Sequence, residues 1–567
     1  PAAPFTPKFS TSVVKTFSNT MDTNAILDTV HEFQGHMWVD RINEKLADGS
    51  LRRWVSSFHP DNLLCYLEGD LYYGAFNAGM KMVFSDGTSW MLRFPRVGMI
   101  CDDYADEKVA AEVTTLRLLH NKTTIPVPKV QAWGPAARNP LGLGPFIMMD
   151  FINGVSLNRH LKDYSNSDSP SRLMREDISD SDIEIIYRQM ANFLLQIFEL
   201  DFDHIGSLPW PEDGPQRSPP KRPLTFKAHT ILQDGGVNTF GTDWSPFLSF
   251  FFPFIIFLLV QLSVLTKAIV PGDRSRGFET TTEYFQYIVS QDWEQLIHQP
   301  NSIIGPHDAK NKYVAFKALK AVVGDLVNKK YDRGKFKLIC DDLGLANLIV
   351  RSSEDLTVVG VVDLEWSYIG PAQLFGSAPW WLLQERPVNP EWDCNADDEP
   401  PPKITARYFK HLDIFMRVLE EEESHMPGHE EKELSSLVKW SQASGAMWLH
   451  MLLSVGFNDT LSFPFTHLRR HLGISEWEAR EGKFYNEQEL EEFAAKKVKE
   501  MNEYDVALEK LEKEKELVDS GNMEMGEFVA KATMGLSSYS SLNVVSNDPK
   551  DGKGLFHSVA PLDSELV

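Results

Sequence analysis

Residues 336–370 read FKLICDDLGLANLIVRSSEDLTVVGVVDLEWSYIG, and their alternation decides the fold. Phe336, Leu338 and Ile339 form an apolar run into Asp342, Asn347 follows five residues later, and Leu348-Ile349-Val350 begins another strand. The turn signal from Ser352 to Asp355 closes a hairpin, whose returning strand, Val358, Val359, Val361 and Val362, ends at Asp363. Asp342 and Asn347 then lie on a loop before one strand, with Asp363 just past its partner. One carboxylate there can receive a hydroxyl proton while the amide and the second carboxylate hold magnesium against a nucleotide's phosphates. Asp and Asn are also common turn residues, so this spacing needs support from elsewhere in the chain.

Upstream, residues 71–96 (LYYGAFNAGMKMVFSDGTSWMLRFPR) alternate, turn at Ser85-Asp86-Gly87-Thr88 and alternate again, which predicts a hairpin. Gly74 and Gly79 flank Phe76-Asn77, where backbone amides can approach phosphates, although a full G-x-G-x-x-G is missing. Arg93 is the cation of the returning strand. The run from Asp106 to His120 carries Val109, Val113, Leu116 and Leu119 at helical spacing and presents Glu112. Ile125-Pro126-Val127-Pro128 stops that helix. Residues 144–157 (GPFIMMDFINGVSL) form an apolar strand followed by polar turn residues.

The spacing of Asp342, Asn347 and Asp363, with the upstream hairpin and the IPVPKV string, resembles the aminoglycoside phosphotransferase and choline kinase-like phosphotransferase family, in its fungal group. The resemblance covers roughly residues 60–470 and implies an α+β, protein-kinase-like two-lobe fold, with a small β-rich N-lobe and a larger, mainly helical C-lobe. It implies ATP and Mg2+ as cofactors, Asp342 as catalytic base, and Asn347 and Asp363 as metal ligands. Arg93 stands where the family carries a phosphate-contacting lysine, with Glu112 as its ion-pair partner. Gly74 and Asn77 are expected over the phosphates, and backbone groups of Met148 to Asp150 against the adenine. The family usually opens its catalytic loop with His-Gly-Asp; here the triplet is Cys340-Asp341-Asp342. Asp341 and Glu365 adjoin functional positions and could assist the metal, although spacing favours Asp342 and Asp363.

At 567 residues with 43% hydrophobic content, the chain can build more than one core. A net charge of −24 disfavours nucleic acid or an anionic membrane as main partner. Four scattered cysteines, Cys65, Cys101, Cys340 and Cys394, make neither a disulfide framework nor a zinc cluster and fit a reducing compartment. The expected location is cytoplasmic. The alternative is mitochondrial, because residues 1–20 are rich in Ser and Thr and lack acidic side chains, as a transit-peptide remnant would.

The organisation read from the sequence is an extension over 1–60 with a helix from Asp22 to Leu46, an N-lobe over 61–150, a C-lobe over 151–470 and a tail over 471–567. Asp182–Leu200 and Trp440–Phe457 read as helices, and the aromatic stretch Trp366–Leu383 reads as core. Residues 476–519 read as a solvated helix or short coiled coil suited to a helical partner, and the chain after Gly521 as disordered. Trp244 to Thr266 is uncharged and long enough to cross a bilayer. A span there would separate the Phe202 region from Asp342, so residues 241–272 read instead as an insertion foreign to the fold, of the kind an unspliced intron leaves. A buried or lipid-associated helix and a true span are the alternatives. The resulting expectation is a kinase of a small-molecule hydroxyl or amine; a nucleotide-binding pseudokinase or scaffold and a membrane-attached interaction protein are its rivals.

Overall fold

The computed structural model describes residues 24–162, 173–211, 221–234, 274, 276–388, 392, 403–454, 456 and 458–533. Asn24 caps the first helix, α1 (Ala25–Ala47), its side chain accepting from the Leu27 amide. Trp38, Val39, Ile42 and Leu46 recur on one face of α1 and bury against Met80, Leu92 and Met148 of a sheet. A short α2 (Ser50–Ser56) leads into that sheet. Its strands are β1 (Cys65–Leu67), β2 (Tyr72–Tyr73), β3 (Asn77–Phe84), β4 (Ser89–Pro95), β5 (Val130–Gly134) and β6 (Phe146–Asp150). They are antiparallel in the order β1-β3-β4-β6-β5, with β2 also on β3. The expected boundary at residue 60 therefore runs through a packed core. Periodicity reveals that α1 has an apolar face but not what covers it.

Helix α3 (Asp102–Lys122) joins this sheet to the larger half, since its Val109, Val113, Leu116 and Leu119 belong to the same core as Ile186, Met190 and Leu338. That half begins with β7 (Val155–Ser156), α4 (Leu157–Leu161), α5 (Asp180–Phe198), β8 (Asp201–Phe202) and α6 (Phe226–Gln233). It continues with α7 (Thr281–His298), α8 (Pro306–Val322), β9 (Phe336–Cys340), β10 (Leu348–Val350), β11 (Val358–Val361), β12 (Ser367–Gly370) and α9 (Ala372–Phe375). Two small sheets, β11-β10-β7 and β12-β9-β8, carry the loops that hold Asp342 and Asp363. Helices then dominate: α10 (Lys403–His425), α11 (Glu433–Ser444), α12 (Ala446–Leu453), α13 (Phe463–Leu472), α14 (Ile474–Gly482) and α15 (Glu487–Asp519). The architecture is α+β, β-rich toward the N-terminus and helical toward the C-terminus.

The expected single helix from Trp440 to Phe457 is instead two, α11 and α12, broken at Gly445. Gly445 has φ +77°, and a Cβ there would sit 2.3 Å from His471 Cδ2. Gly445→Ala is expected to lower stability by about 1–3 kcal/mol, read as an earlier denaturant midpoint at unchanged slope.

The tail takes one of its two expected forms over 487–519, a long and mostly exposed helix, and departs from expectation in its details. Its charged stretch is interrupted after α14, and Asn486 caps α15. Leu490, Ala494 and Lys497 of α15 are buried, with Lys497 Nζ donating to Gln299 O at 2.7 Å, while Tyr504 donates to Asn24 Oδ1 at 3.2 Å. The helix is thus docked on its own chain rather than held out as one strand of a coiled coil. Residues 525–533, expected to be disordered, are helical, and Phe528 is fully buried with its ring 4.8 Å from that of Phe33. The Ser- and Gly-rich composition of the tail as a whole masks the apolar Met525, Phe528, Val529 and Ala532. Residues 1–20, the 241–272 segment and its apolar run lie outside the described residues. Among the described residues no helix is long and apolar enough to cross a membrane.

Candidate functional site

The loop after β9 is fixed by its own backbone. Asp341 N donates to Trp366 O at 3.1 Å, Leu343 N to Cys340 O at 3.0 Å and Asn347 N to Gly344 O at 3.1 Å. Asn347 Nδ2 donates to Asp342 O at 2.7 Å and, at 3.4 Å, to Asp342 Oδ2, which leaves Asn347 Oδ1 for another partner. The β10–β11 hairpin pairs Leu348 with Val361, and Val362 N donates to Asn347 O at 3.0 Å. Asp363 therefore emerges beside Asn347, in a left-handed backbone conformation (φ +60°) uncommon for a residue with a Cβ.

Across the cleft, β4 aims Arg93 at this loop. Its Nη1 donates to Glu112 Oε1 at 2.9 Å, the ion pair expected from the sequence, and its Nη2 lies 2.7 Å from Asp363 Oδ1 and 3.3 Å from Glu365 Oε2. Arg93, Glu112 and Asp363 are thus brought together. Two further groups complete the knot. Lys108 Nζ, fully buried, donates to Asn77 Oδ1 at 2.9 Å and ion-pairs with Glu365, while Asn77 Nδ2 donates to Glu365 Oε2 at 2.5 Å. Sequence reasoning missed Lys108. Its signal was the four-residue spacing to Glu112, which puts both on one helix face.

Two cations thus meet three carboxylates in a largely buried setting. Burial raises Glu112, helped by Glu365 and opposed by Arg93. Burial also pushes Glu365 upward, but Lys108 and Arg93 outweigh it and hold Glu365 below its ordinary range. Removal from water works against the charged Arg93, yet Asp363, Glu112 and Glu365 hold its guanidinium above its ordinary value.

Burial pushes Asp342 up to about 6, with Glu365 and Asp363 adding to the rise and Arg386 opposing it. The side chain keeps 31% of its surface open to the cleft, so water screens part of that push. Burial likewise pushes Asp341 up to about 7. Arg386, also missed from the sequence, donates from Nη2 to Asp341 O at 2.6 Å and stands 3.6 Å from Asp342 Oδ1. Its guanidinium lies over the Trp380 ring at 4.1 Å. No local pattern ties residue 386 to a loop 44 positions earlier. Cys340 offers no substitute for a histidine, since burial pushes its thiol up to about 12 and keeps it neutral.

The remaining expected positions divide. Asn77 is in the knot through its side chain, whereas the Gly74 amide is consumed in a turn, donating to Asn77 O at 2.9 Å. Arg96 Nη1 donates to Gly74 O at 2.7 Å and closes the turn further. Met148 is not brought to the cleft, because β6 is flanked on both sides, with Met148 opposite Leu92 and Ala132 and its side chain in the core. The Asp150 amide donates to Lys129 O at 3.0 Å and its carboxylate accepts from Gln131 at 2.6 Å. A central strand cannot offer its edge to an adenine; chain past β6 can.

The oxygen donors Asp342, Asn347 and Asp363 suit magnesium, which is held by one or two carboxylates plus phosphates. Among the described residues no group of three His, Cys, Asp or Glu could hold a metal unaided, so the phosphates would have to complete the shell. Arg93 Nε is buried with no partner among the described residues, a donor suited to a phosphate oxygen. The residues present therefore fit a magnesium nucleotide.

No family model matches the chain. It is similar to "Altered inheritance of mitochondria protein 9, mitochondrial" of Lodderomyces elongisporus, 30% identical over 148 residues, which is 26% of this chain and 22% of that protein. The protein of the same name in Zygosaccharomyces rouxii is 26% identical over 134 residues, 24% of this chain and 20% of its own length. The matched stretch thus spans about a fifth of these relatives. Among solved structures, a macrolide 2'-phosphotransferase from Brachybacterium faecium is similar with a TM-score of 0.32 and 12% identity, over 76% of this chain and 96% of that one. A type I macrolide 2'-phosphotransferase aligns with a TM-score of 0.30 and 12% identity, over 79% and 96%.

Proposed function

We propose that the chain is an ATP-dependent phosphotransferase that moves the γ-phosphoryl group to a hydroxyl, or an amine, of a small molecule. Asp342 is the base that receives the acceptor's proton, and Asn347 and Asp363 are the magnesium ligands. Arg93, held by Glu112, contacts the phosphates. Catalysis on this reading is positioning and charge neutralisation, with no covalent intermediate on the protein. The observation that carries it is the 2.7 Å approach of Arg93 to Asp363, which joins a phosphate-binding cation from one lobe to a metal-binding carboxylate of the other.

A second reading, a nucleotide-binding pseudokinase or scaffold, is favoured by one specific feature. Arg93 Nη1 and Nη2 are engaged by three carboxylates, so a nucleotide has to compete for that cation. ADP release with ATP and magnesium across amino alcohols, sugars and aminoglycosides distinguishes the two. Asp363→Ala is expected to abolish turnover and to weaken nucleotide binding at least tenfold in magnesium but much less in EDTA. Equal weakening in both conditions would remove Asp363 from the metal site.

The relatives' name supports a mitochondrial rather than a cytoplasmic location, to be tested by fractionating cells that express the chain. The face of α15 that carries the exposed Val506 and Leu517 is the part of 476–519 left for a helical partner.

A further inference from the structure

On the side of the Asp342 loop formed by β9, α9 and helices α10 to α12 lies a cavity of about 120 Å3. Its wall is mostly apolar, with Leu194, Leu338, Phe415 and Met451 among its residues. Three polar atoms of wall residues are buried with no hydrogen-bond partner among the described residues: Ser377 Oγ, Arg386 Nη1 and His450 Nδ1. Buried polar groups are nearly always partnered, so three among the residues that wall one small cavity are unusual.

The hydrogen-bond network settles what these atoms offer. Gln373 Oε1 accepts from Asn328 N at 2.7 Å, so its Nε2 is the amide nitrogen, donating to Leu326 O at 2.7 Å and to His450 Nε2 at 2.9 Å. A histidine that accepts at Nε2 carries its hydrogen on Nδ1. Burial pushes His450 down to about 3, so the ring is neutral and Nδ1–H is a donor. Arg386 Nη1 can only donate, and its plane is fixed by the bond from Nη2 to Asp341 O and by the Trp380 ring. The Ser377 hydroxyl can donate as well. The cavity therefore combines an apolar wall with donors, one of them cationic, beside the Asp341 carboxylate, which accepts from the Tyr368 hydroxyl at 3.4 Å.

We propose that this cavity is a binding site for a small monocarboxylate with a compact apolar body, its carboxylate seated on Arg386 with His450 and Ser377 as the further donors. Apolar cavities near 150 Å3 accept benzene, so one of about 120 Å3 holds a ligand of at most about six heavy atoms, such as isobutyrate with its carboxylate at the donors. A carboxylate suits Nη1, the arm of the guanidinium left over when Nη2 has met Asp341 O and Asp342, better than an alcohol or a small cluster of waters does. The site does not depend on the chain's transferring phosphoryl groups, and its test does not read turnover.

The experiment follows thermal unfolding of the full chain during titration with isobutyrate, at ionic strength held constant with chloride, alongside isobutanol. A saturable rise in melting temperature is expected with isobutyrate, with half-saturation at least tenfold lower than for isobutanol. Ser377→Ala, a mild change, is expected to raise the half-saturating concentration about three- to tenfold. Arg386→Met and the cavity-filling Ala378→Leu are each expected to abolish the response. No saturable shift, an equal response to isobutanol, or titrations indifferent to Ser377→Ala would each overturn the proposal, and the first marks a cavity holding water alone.

Discussion

Asp342→Asn is expected to lower kcat for phosphoryl transfer by about a hundred- to ten-thousand-fold, the range a positioned general base supplies, with nucleotide affinity left within a factor of about three. The substitution is nearly isosteric and keeps an oxygen for the Asn347 amide that donates to it at 3.4 Å. What it removes is the ability to take a proton. Because burial pushes Asp342 up to about 6, the wild-type kcat/KM should rise with pH through that value, as the carboxylate ionises, and level off above it. In the variant the residual rate should lose that inflection. An unchanged inflection in Asp342→Asn would assign it to another group, with Asp341, pushed up to about 7, first in line. The same displacement has a stability sign opposite to that of most carboxylates. A raised value favours the protonated folded form, so this group's contribution grows as pH falls from about 6 toward its unfolded value.

Glu365→Gln is expected to cost the fold about 3–5 kcal/mol, the range for removing one partner of a buried ion pair. Lys108 is fully buried, and Glu365 is its charged partner as well as an acceptor from Asn77 and Arg93. With the carboxylate neutralised, the ammonium is left in the protein interior with only the neutral amide oxygens of Asn77 and the new glutamine in place of its charged partner. Chemical denaturation should show the loss as an earlier midpoint. The pH dependence gives an independent check. Glu365 is held below its ordinary 4.5, so its stabilisation is fully present above that value and disappears as pH falls through the lower folded value. Part of the acid sensitivity of the wild type below pH 4.5 should therefore be missing in Glu365→Gln. A variant with wild-type stability at neutral pH would mean that Lys108 finds another partner.

The sequence disclosed the local features of this site and hid the ones made by folding. Asp342, Asn347 and Asp363 were legible because a hairpin of known length separates them, and the observed β10–β11 register repeats that reading. Arg93 and Glu112 were legible through a resemblance rather than through their own spacing. Lys108 reaches the cleft from a helix face, marked only by its four-residue spacing to Glu112, and Arg386 from a loop after α9, where nothing in its immediate neighbours marks it out. Met148 shows the converse error. An apolar strand looks the same whether its edge is open or paired, and only the sheet order β4-β6-β5 closes it. Gly445 was readable as a break in a helix, yet glycine is tolerated inside helices often enough that its left-handed turn waited for the structure.

The last helices set how the two lobes can move. At 33 residues α15 is a rod of roughly 50 Å at 1.5 Å per residue. One end rests on α8 of the helical lobe, and the other, with residues 525–533, clasps α1, which is rooted in the small lobe's core. The lobes are therefore joined by the covalent passage after β6, by the core shared through α3 and by this strap behind them. Widening the mouth between Arg93 and Asp363 thus means giving up contacts at one of these joins.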